Sequence, residues 1–423
     1  MIQVLSSAWA LLLGMMLLMV GNGLQGTLLG VRGEIEGFST LEMSVVMSAY
    51  FLGFLGGSRM APEMIRRVGH VRVFAALASF ISAVMILYPT FTNPIAWSVG
   101  RVIIGFCFSG VYVTAESWLN NAANNENRGQ ALSLYMIVQM VGIVSAQALL
   151  LAGDPAGYET FVIASVLISI SFAPILLSIS PTPAFDTTKP MTLRELLKIS
   201  PLGCVGMFLL GGVFASQFGM SAVYGAKVGL SLAQISIFVA TFYVGAMLMQ
   251  YPLGWLSDRM DRRFLILLVS AVGAGGAVVG MLFGSSFSIL LVAAFLIGGL
   301  SNPLYSLLIA HTNDYLQHED MAAASGGLVF INGLGAITGP LIIGWLMGDA
   351  VFGPSGFFLF MAALMFALAA YAAYRSTQRP TVPVEETGQM PAMYPAATQV
   401  ALGVAQELAI EADLEEAQSK GTA

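Results

Sequence analysis

Gly254-Trp255-Leu256-Ser257-Asp258-Arg259-Met260-Asp261-Arg262-Arg263 sets five charges within ten residues, between apolar runs at 231–256 and 264–283. Each run has the roughly 20 residues that a helix needs to cross about 30 Å of hydrocarbon. A charged turn between two such runs is the pattern of a hairpin that crosses a bilayer twice. Working outward, the same test finds runs at 6–29, 39–58, 73–93, 95–119, 130–152, 158–179 and 200–224 before it, and at 286–310, 324–347 and 354–374 after it. Twelve spans are expected.

The composition agrees. Of 423 residues 57% are hydrophobic and 9% charged, with mean hydropathy +0.82. A soluble chain carries about a quarter charged residues, so the lipid bilayer is the expected solvent and a soluble globule is excluded. The net charge of −6 does not indicate an acidic partner, because its distribution is uneven: seven acidic residues fall in the last 49 positions, from Glu385 to Glu416. Cys107 and Cys204 lie inside apolar runs without His or Cys at ligand spacing, so inert buried thiols are expected and neither a disulfide framework nor a metal site. No basic stretch precedes the first apolar run, which is therefore read as a retained span.

Lys and Arg set the orientation. With the N-terminus in the cytoplasm, the inner loops and tail hold fourteen of them and the outer loops only Arg32 and Lys227. Both termini are expected on the cytoplasmic side of a bacterial inner membrane. The expected divisions are a six-helix bundle at 1–179, a cytoplasmic linker at 180–199, a second bundle at 200–374, and an acidic tail at 375–423. Thr192-Leu193-Arg194-Glu195 in the linker is a capping box that starts a short helix. The tail, with Pro380, Pro383, Pro391 and Pro395 and an Ala-rich acidic end that reads as a helix near 398–418, is expected to be cytosolic and mostly mobile.

The halves repeat. Gly14-Met15, Leu17-Leu18 and Gln25 match Gly206-Met207, Leu209-Leu210 and Gln217 at an offset of 192. Gly105 and Tyr112 match Gly298 and Tyr305 at 193, and Leu52-Gly53-Phe54-Leu55 matches Leu253-Gly254-Trp255-Leu256 at 201. Parallel repeats of this kind enclose a site near the bilayer midplane.

The 254–263 stretch resembles the signature loop of the major facilitator superfamily, in which a Gly and an Asp–Arg pair end one helix and basic residues begin the next. Glu36-Gly37-Phe38-Ser39, Glu116-Ser117-Trp118-Leu119-Asn120, Asn127-Arg128-Gly129 and Arg67-Val68-Gly69-His70-Val71-Arg72 are similar to a branch of uncharacterised bacterial transporters called YcaD-like. The resemblance covers all twelve spans but not the tail. It implies an all-α membrane protein of two pseudo-symmetric six-helix bundles that moves a small organic solute by alternating access, with protons as the expected coupling ion. Gly254, Asp258, Arg259, Arg262, Arg263 and Arg128 are then expected to latch the cytoplasmic gate. The first-half loop, Gly53 through Arg72, lacks the Asp, with Gly57 or Arg66 in its place, so the resemblance does not imply two symmetric latches.

Helix four carries Arg101-Val102-Ile103-Ile104-Gly105, similar to the family's Arg-xxx-Gly pattern, which implies anion binding or coupling to a carboxylate; snorkelling to the outer interface is the competing reading. An arginine within a span costs roughly 2.5–3.5 kcal/mol on insertion scales unless it faces water or partners. Glu116 lies fifteen residues on, ~22 Å along the helix, in a cavity, a gate or the interface. Glu42 reads as a proton carrier or, within Ser39-Thr40-Leu41-Glu42, as a helix cap. Arg32 and Glu36 form an outer gate or a solvated turn. Asn22, Gln25, Gln217, Tyr224 and Asn332 interrupt apolar spans and complete the expected substrate site, with interhelical hydrogen bonding as the alternative. Gly335 through Gly344, with Gly339-Pro340, reads as helix packing.

No cofactor, metal or nucleic acid is expected, and a monomer is. Without a Walker A pattern, ATP hydrolysis is not the drive. A membrane enzyme would need catalytic clusters, whereas His70, His311 and His318 read as lying at or outside the cytoplasmic interface. A non-transporting sensor that keeps the fold and signals through its tail is the alternative function.

Overall fold

The computed structural model describes residues 2–122, 128–177, 191–378 and 398–421, with the single positions 383, 387, 390 and 393. Among the described residues, twelve helices are long and apolar enough to cross a membrane. They are α1 (Ile2–Ile35), α2 (Thr40–Val68), α3 (His70–Thr90), α4 (Pro94–Ala122), α5 (Arg128–Leu149) and α6 (Glu159–Ser171, continued by Ala173–Leu177) in the first half. In the second half they are α7 (Pro201–Lys227), α8 (Leu232–Ser257), α9 (Arg262–Phe283), α10 (Phe287–Asn313), α11 (His318–Leu346) and α12 (Gly356–Ser376). With an even number of crossings, both ends of the bundle lie on one face, which we call the tail face.

Large apolar side chains such as Phe80, Ile95, Leu248 and Phe366 stand exposed on the outside. They are the lipid-facing surface of an all-α membrane protein.

Several helices run longer than hydropathy alone predicts, α1 and α2 among them. Reading α2 to end near 58 leaves Pro62, Arg66 and Arg67 in a loop, but the helix continues to Val68 and stops only at Gly69, whose φ of 84° favours glycine. Exposed Arg66 and Arg67 both pair with Glu63 on this extension. Helix α1 likewise runs past residue 29 to Ile35, so Arg32 sits on its last turn. Hydropathy marks where lipid ends, not where the helix ends.

The internal repeat is visible in backbone contacts. A Cβ on Gly53 would overlap the Val102 carbonyl oxygen, and one on Gly245 would meet that of Phe295. Reciprocally, Gly105 presses on the Tyr50 carbonyl and Gly298 on that of Phe242. Thus α2 crosses α4 as α8 crosses α10, and glycine is what lets both pairs approach. These contacts relate the halves by 192 or 193 residues throughout. They correct the offset of 201: Gly53 is equivalent to Gly245, not Gly254, and Arg66 stands where the second half has Asp258.

The halves meet along α1 with α7, α2 with α11, and α5 with α8. On the face opposite the tail the seam is tight. Ser48 bonds to the Ile337 carbonyl, and Lys227 Nζ reaches Thr40 Oγ1 at 3.1 Å and Asp349 at 2.8 Å.

The capping boxes read from sequence are present at Ser39/Glu42 and Thr192/Glu195, the latter opening a short helix Leu193–Ile199. The linker at 178–190 lies outside the described residues. The helix read near 398–418 spans Gln399–Gly421, but it is not free of the bundle: its first turns pack against α4, α5 and α11. Acidic composition masked a small apolar face, on which Ala401, Leu402 and Ala405 are buried.

Candidate functional site

The site begins with one charge. Arg101 lies seven residues inside α4, about 10 Å from its start, and is only 3% exposed. It does not snorkel. Its Nη1 donates to Gln25 Oε1 at 2.8 Å, Gln25 Nε2 donates to Asn22 Oδ1 at 3.2 Å, and Asn22 Nδ2 donates to the Tyr112 hydroxyl at 2.9 Å. The guanidinium lies 4.7 Å from the centroid of the Tyr50 ring, a cation–π arrangement, and Nη2 approaches Met47 Sδ at 3.5 Å. Its Nε finds no partner among the described residues.

These groups open on a central cavity of about 140 Å³ between the halves. An engineered apolar cavity of about 150 Å³ holds benzene, so a small ring fits before any side chain moves. Rings from both halves form its wall: Tyr50, Phe51 and Phe54 from α2, and Phe214, Phe218 and Tyr243 from α7 and α8. Asn332 of α11 closes one side and donates to the Met207 carbonyl at 3.0 Å. Among the described residues lining the cavity, Arg101 carries the only charge.

The repeat is used with different chemistry on its two sides. Asn22 pairs with Tyr112 in the first half; at the equivalent positions Phe214 packs on Tyr305, with centroids 6.0 Å apart. Gln25 faces the cavity, but Gln217 does not. It lies in a π turn, Ser216–Met220, and donates to Ser301 at 2.7 Å, while its neighbour Phe218 takes the wall. Tyr224 is also away from the cavity, stacked on Phe357 at 4.7 Å. These two corrections share a cause. Polarity marks a side chain that avoids lipid, not which interior partner it finds.

Glu42 closes the capping box with Ser39, 2.8 Å from its backbone nitrogen, and is exposed on the face opposite the tail. It is not near Arg101's cavity. Glu116, 2% exposed, accepts hydrogen bonds from Thr398 and Ala401 of the tail and from the Tyr135 hydroxyl at 3.3 Å. Arg32 and Glu36 pair at 2.6 Å, but Arg32 also bonds to the carbonyls of Pro155, Ala156 and Gly157. Those contacts tie α1 to the α5–α6 loop of the same half and do not cross the seam. Lys227 makes the crossing contact instead.

The 254–263 loop is likewise an intra-half brace. Arg262, buried, donates to Ser257 and to Asp314 at the end of α10, and Arg263 reaches the Tyr315 hydroxyl. Asp261 caps α9. Arg259 is exposed and stacks on Trp255 at 4.4 Å. Asp258 is 3.8 Å from Arg262 and accepts the backbone N–H of Met390 at 2.9 Å. Gly254 sits below that same tail methionine. Arg128 begins α5, and its side chain lies outside the described residues. His70 and His311 stand at helix ends on the tail face, in the first turn of α3 and the last turn of α10, and are buried within the protein there, His70 against Ser117 at 3.0 Å; the side chain of His318 is outside the described residues.

Two six-helix halves around a central cavity define a transporter of the major facilitator class. The family model for the Major Facilitator Superfamily matches residues 11–226 and 202–410, and the chain belongs to that superfamily. It is similar to the uncharacterized MFS-type transporter YcaD of Escherichia coli strains ED1a and UTI89, 27% identical over 362 residues, or 84% of this chain and 92% of each relative. Its fold is shared with the nucleoside transporter NupG at a TM-score of 0.69 and 15% identity, over 86% of this chain and 98% of that one. A bacterial homologue of the human lysosomal transporter Spinster, solved inward-facing and unoccupied, matches at 0.68 and 14%, over 96% of this chain and 98% of that one.

Proposed function

We propose that this protein is a secondary active transporter of small organic anions that bear an aromatic or apolar body. It works by alternating access in a bacterial inner membrane, as a monomer with both termini in the cytoplasm. The observation that supports this reading is the buried guanidinium of Arg101, which faces a ring-lined cavity without a carboxylate among the described lining residues. A cation held out of water without a counter-charge is costly, and an anionic substrate would supply that charge. Rings on both halves give the body of such a substrate something to pack on in either state. The site residues proposed are Arg101, Gln25, Asn22 and Asn332, with the aromatic wall.

A thermal-stability screen of the purified protein tests the substrate class. Small aromatic carboxylates are expected to raise the melting temperature, since a ligand at a hundredfold excess over its Kd adds about 2.7 kcal/mol. The matching neutral amides are expected to leave it unchanged. Stabilisation by amides or amines alone would exclude an anion site.

We assign proton coupling to Glu116, a buried carboxylate on the same helix as Arg101 and one turn beyond Tyr112, which lines the cavity. Glu116→Gln is expected to abolish proton-driven accumulation in proteoliposomes while leaving exchange of internal for external substrate. Accumulation that persists in this variant would remove Glu116 from the coupling path.

A further inference from the structure

At the tail face the gap between the two halves is filled by the chain itself. Glu116 of α4, in the first half, receives the N–H of Thr398 at 3.1 Å, the Thr398 hydroxyl, and the N–H of Ala401 at 3.3 Å. Thr398 and Ala401 open the tail helix, where backbone N–H groups have no partner within the helix. Glu116 therefore caps that helix from outside, across 282 residues of sequence. The second half holds the same segment at three more points. Asp258 accepts from Met390 N–H, Ser306 of α10 exchanges hydrogen bonds with the backbone of Met393 at 2.9 and 3.0 Å, and Gln406 donates to Asn313 at 3.1 Å. Between these anchors Leu402 is fully buried, and Met393, Ala401, Ala405 and Gln406 are nearly so.

The anchoring is too specific for a solvated charge run that merely rests on the protein. Backbone groups of four tail residues, Met390, Met393, Thr398 and Ala401, are satisfied by side chains of both halves, and the apolar face of the tail helix is turned inward. The placement also matters. Tyr112 lines the cavity, and Glu116, four residues or ~6 Å further along α4, holds the tail. The docked segment thus sits on the tail-face side of the cavity, while the opposite face is closed by the α2–α11 seam and the Lys227 contacts.

We propose that the mouth between α4–α5 and α10–α11 is a docking site for the chain's own tail, held at Met390, at Met393 and from Thr398 to Leu408, and that the docked tail is an autoinhibitory plug. A helix with its side chains is about 10 Å across. While one lies between the halves, their tail-face ends cannot approach, so the closure that alternating access requires on this side is blocked. Transport then proceeds only when the segment leaves. This inference rests on the transporter reading for its consequence, but the docking itself does not.

Maleimide labelling of the full-length protein tests the docking without any substrate. Cys107 and Cys204 are first replaced by Ser, and single cysteines are placed at Ala401, at exposed Glu411, and at Ser58, which lines the cavity. Ala401→Cys is expected to label at least tenfold more slowly than Glu411→Cys. Adding Leu402→Glu, which drives a charge into the docked face, is expected to raise labelling of both Ala401→Cys and Ser58→Cys at least tenfold. Thr398→Ala, a milder change that removes one bond to Glu116, is expected to raise them less. If Ala401→Cys labels as fast as Glu411→Cys, or if Leu402→Glu leaves Ser58→Cys unchanged, the plug is overturned. Either result would leave the anion screen unaffected, so the two readings fail separately.

Discussion

Arg101→Ala is expected to weaken binding of an organic anion by about a hundredfold and to leave the empty protein at least as stable as before. The first effect follows from the strength of charged hydrogen bonds, roughly 1.5–3 kcal/mol, since about 2.8 kcal/mol is a hundredfold in Kd. The second follows from desolvation. A buried cation without a counter-ion is a liability in the empty state, and binding residues commonly trade stability for affinity. Gln25 would lose one partner but keep Asn22. Arg101→Lys is expected to recover only part of the affinity, because a lysine cannot offer the guanidinium fork or stack over Tyr50 in the same way. The measurement is ligand-dependent thermal stabilisation of the three proteins against the same carboxylate. A melting temperature that collapses without ligand in Arg101→Ala would instead mark the residue as a structural tie. An unchanged Kd would move the substrate elsewhere in the cavity.

Much of this was legible in the sequence, for reasons that also explain what was not. Span number and class follow from apolar length, which the bilayer imposes. The repeat follows from glycines that the α2–α4 and α8–α10 crossings cannot do without. The Leu-Gly match at 201 failed because that dipeptide is common in any membrane helix, whereas Gly105 and Gly298 answer a specific steric demand. Arg101, Gln25, Asn22 and Asn332 stand out because a polar group within a span needs a reason. The rings of Tyr50, Phe51 and Phe54 do not, since lipid-facing and cavity-facing aromatics look alike in one dimension.

The contacts that set the tail face were the least legible. Glu116 reads equally as an acid of a cavity, a gate or the interface until Thr398 is brought to it, and the tail reads as solvated until its helix is placed. A signal was present in the spacing of Thr398, Ala401, Leu402 and Ala405, which share one helical face. Asp314 carried no signal at all. It follows an apolar span with ordinary end-of-helix residues, and its partner lies 52 positions away.

That partner makes Asp314 the strongest structural prediction. Arg262 and Asp314 pair with side chains only 3% and 4% exposed. Removing one member of such a pair strands the other's charge and costs about 3–5 kcal/mol, more than the pair itself is worth. Asp314→Ala is therefore expected to lower the melting temperature sharply, with Asp258, 3.8 Å from Arg262 and partly exposed, offering weak compensation. Asp258→Ala should cost less, because water can solvate what it leaves behind. The double variant Arg262→Met with Asp314→Leu is expected to recover most of the loss, since neither charge then remains buried. Little salt dependence is expected, because buried pairs are poorly screened. A double-mutant cycle on thermal stability measures the coupling directly. Additive losses would mean that the two charges stand apart in the folded protein. A large coupling would show that the 254–263 stretch acts first as the brace of its own half. On that view its Asp258 is left to hold the tail rather than to latch the other half.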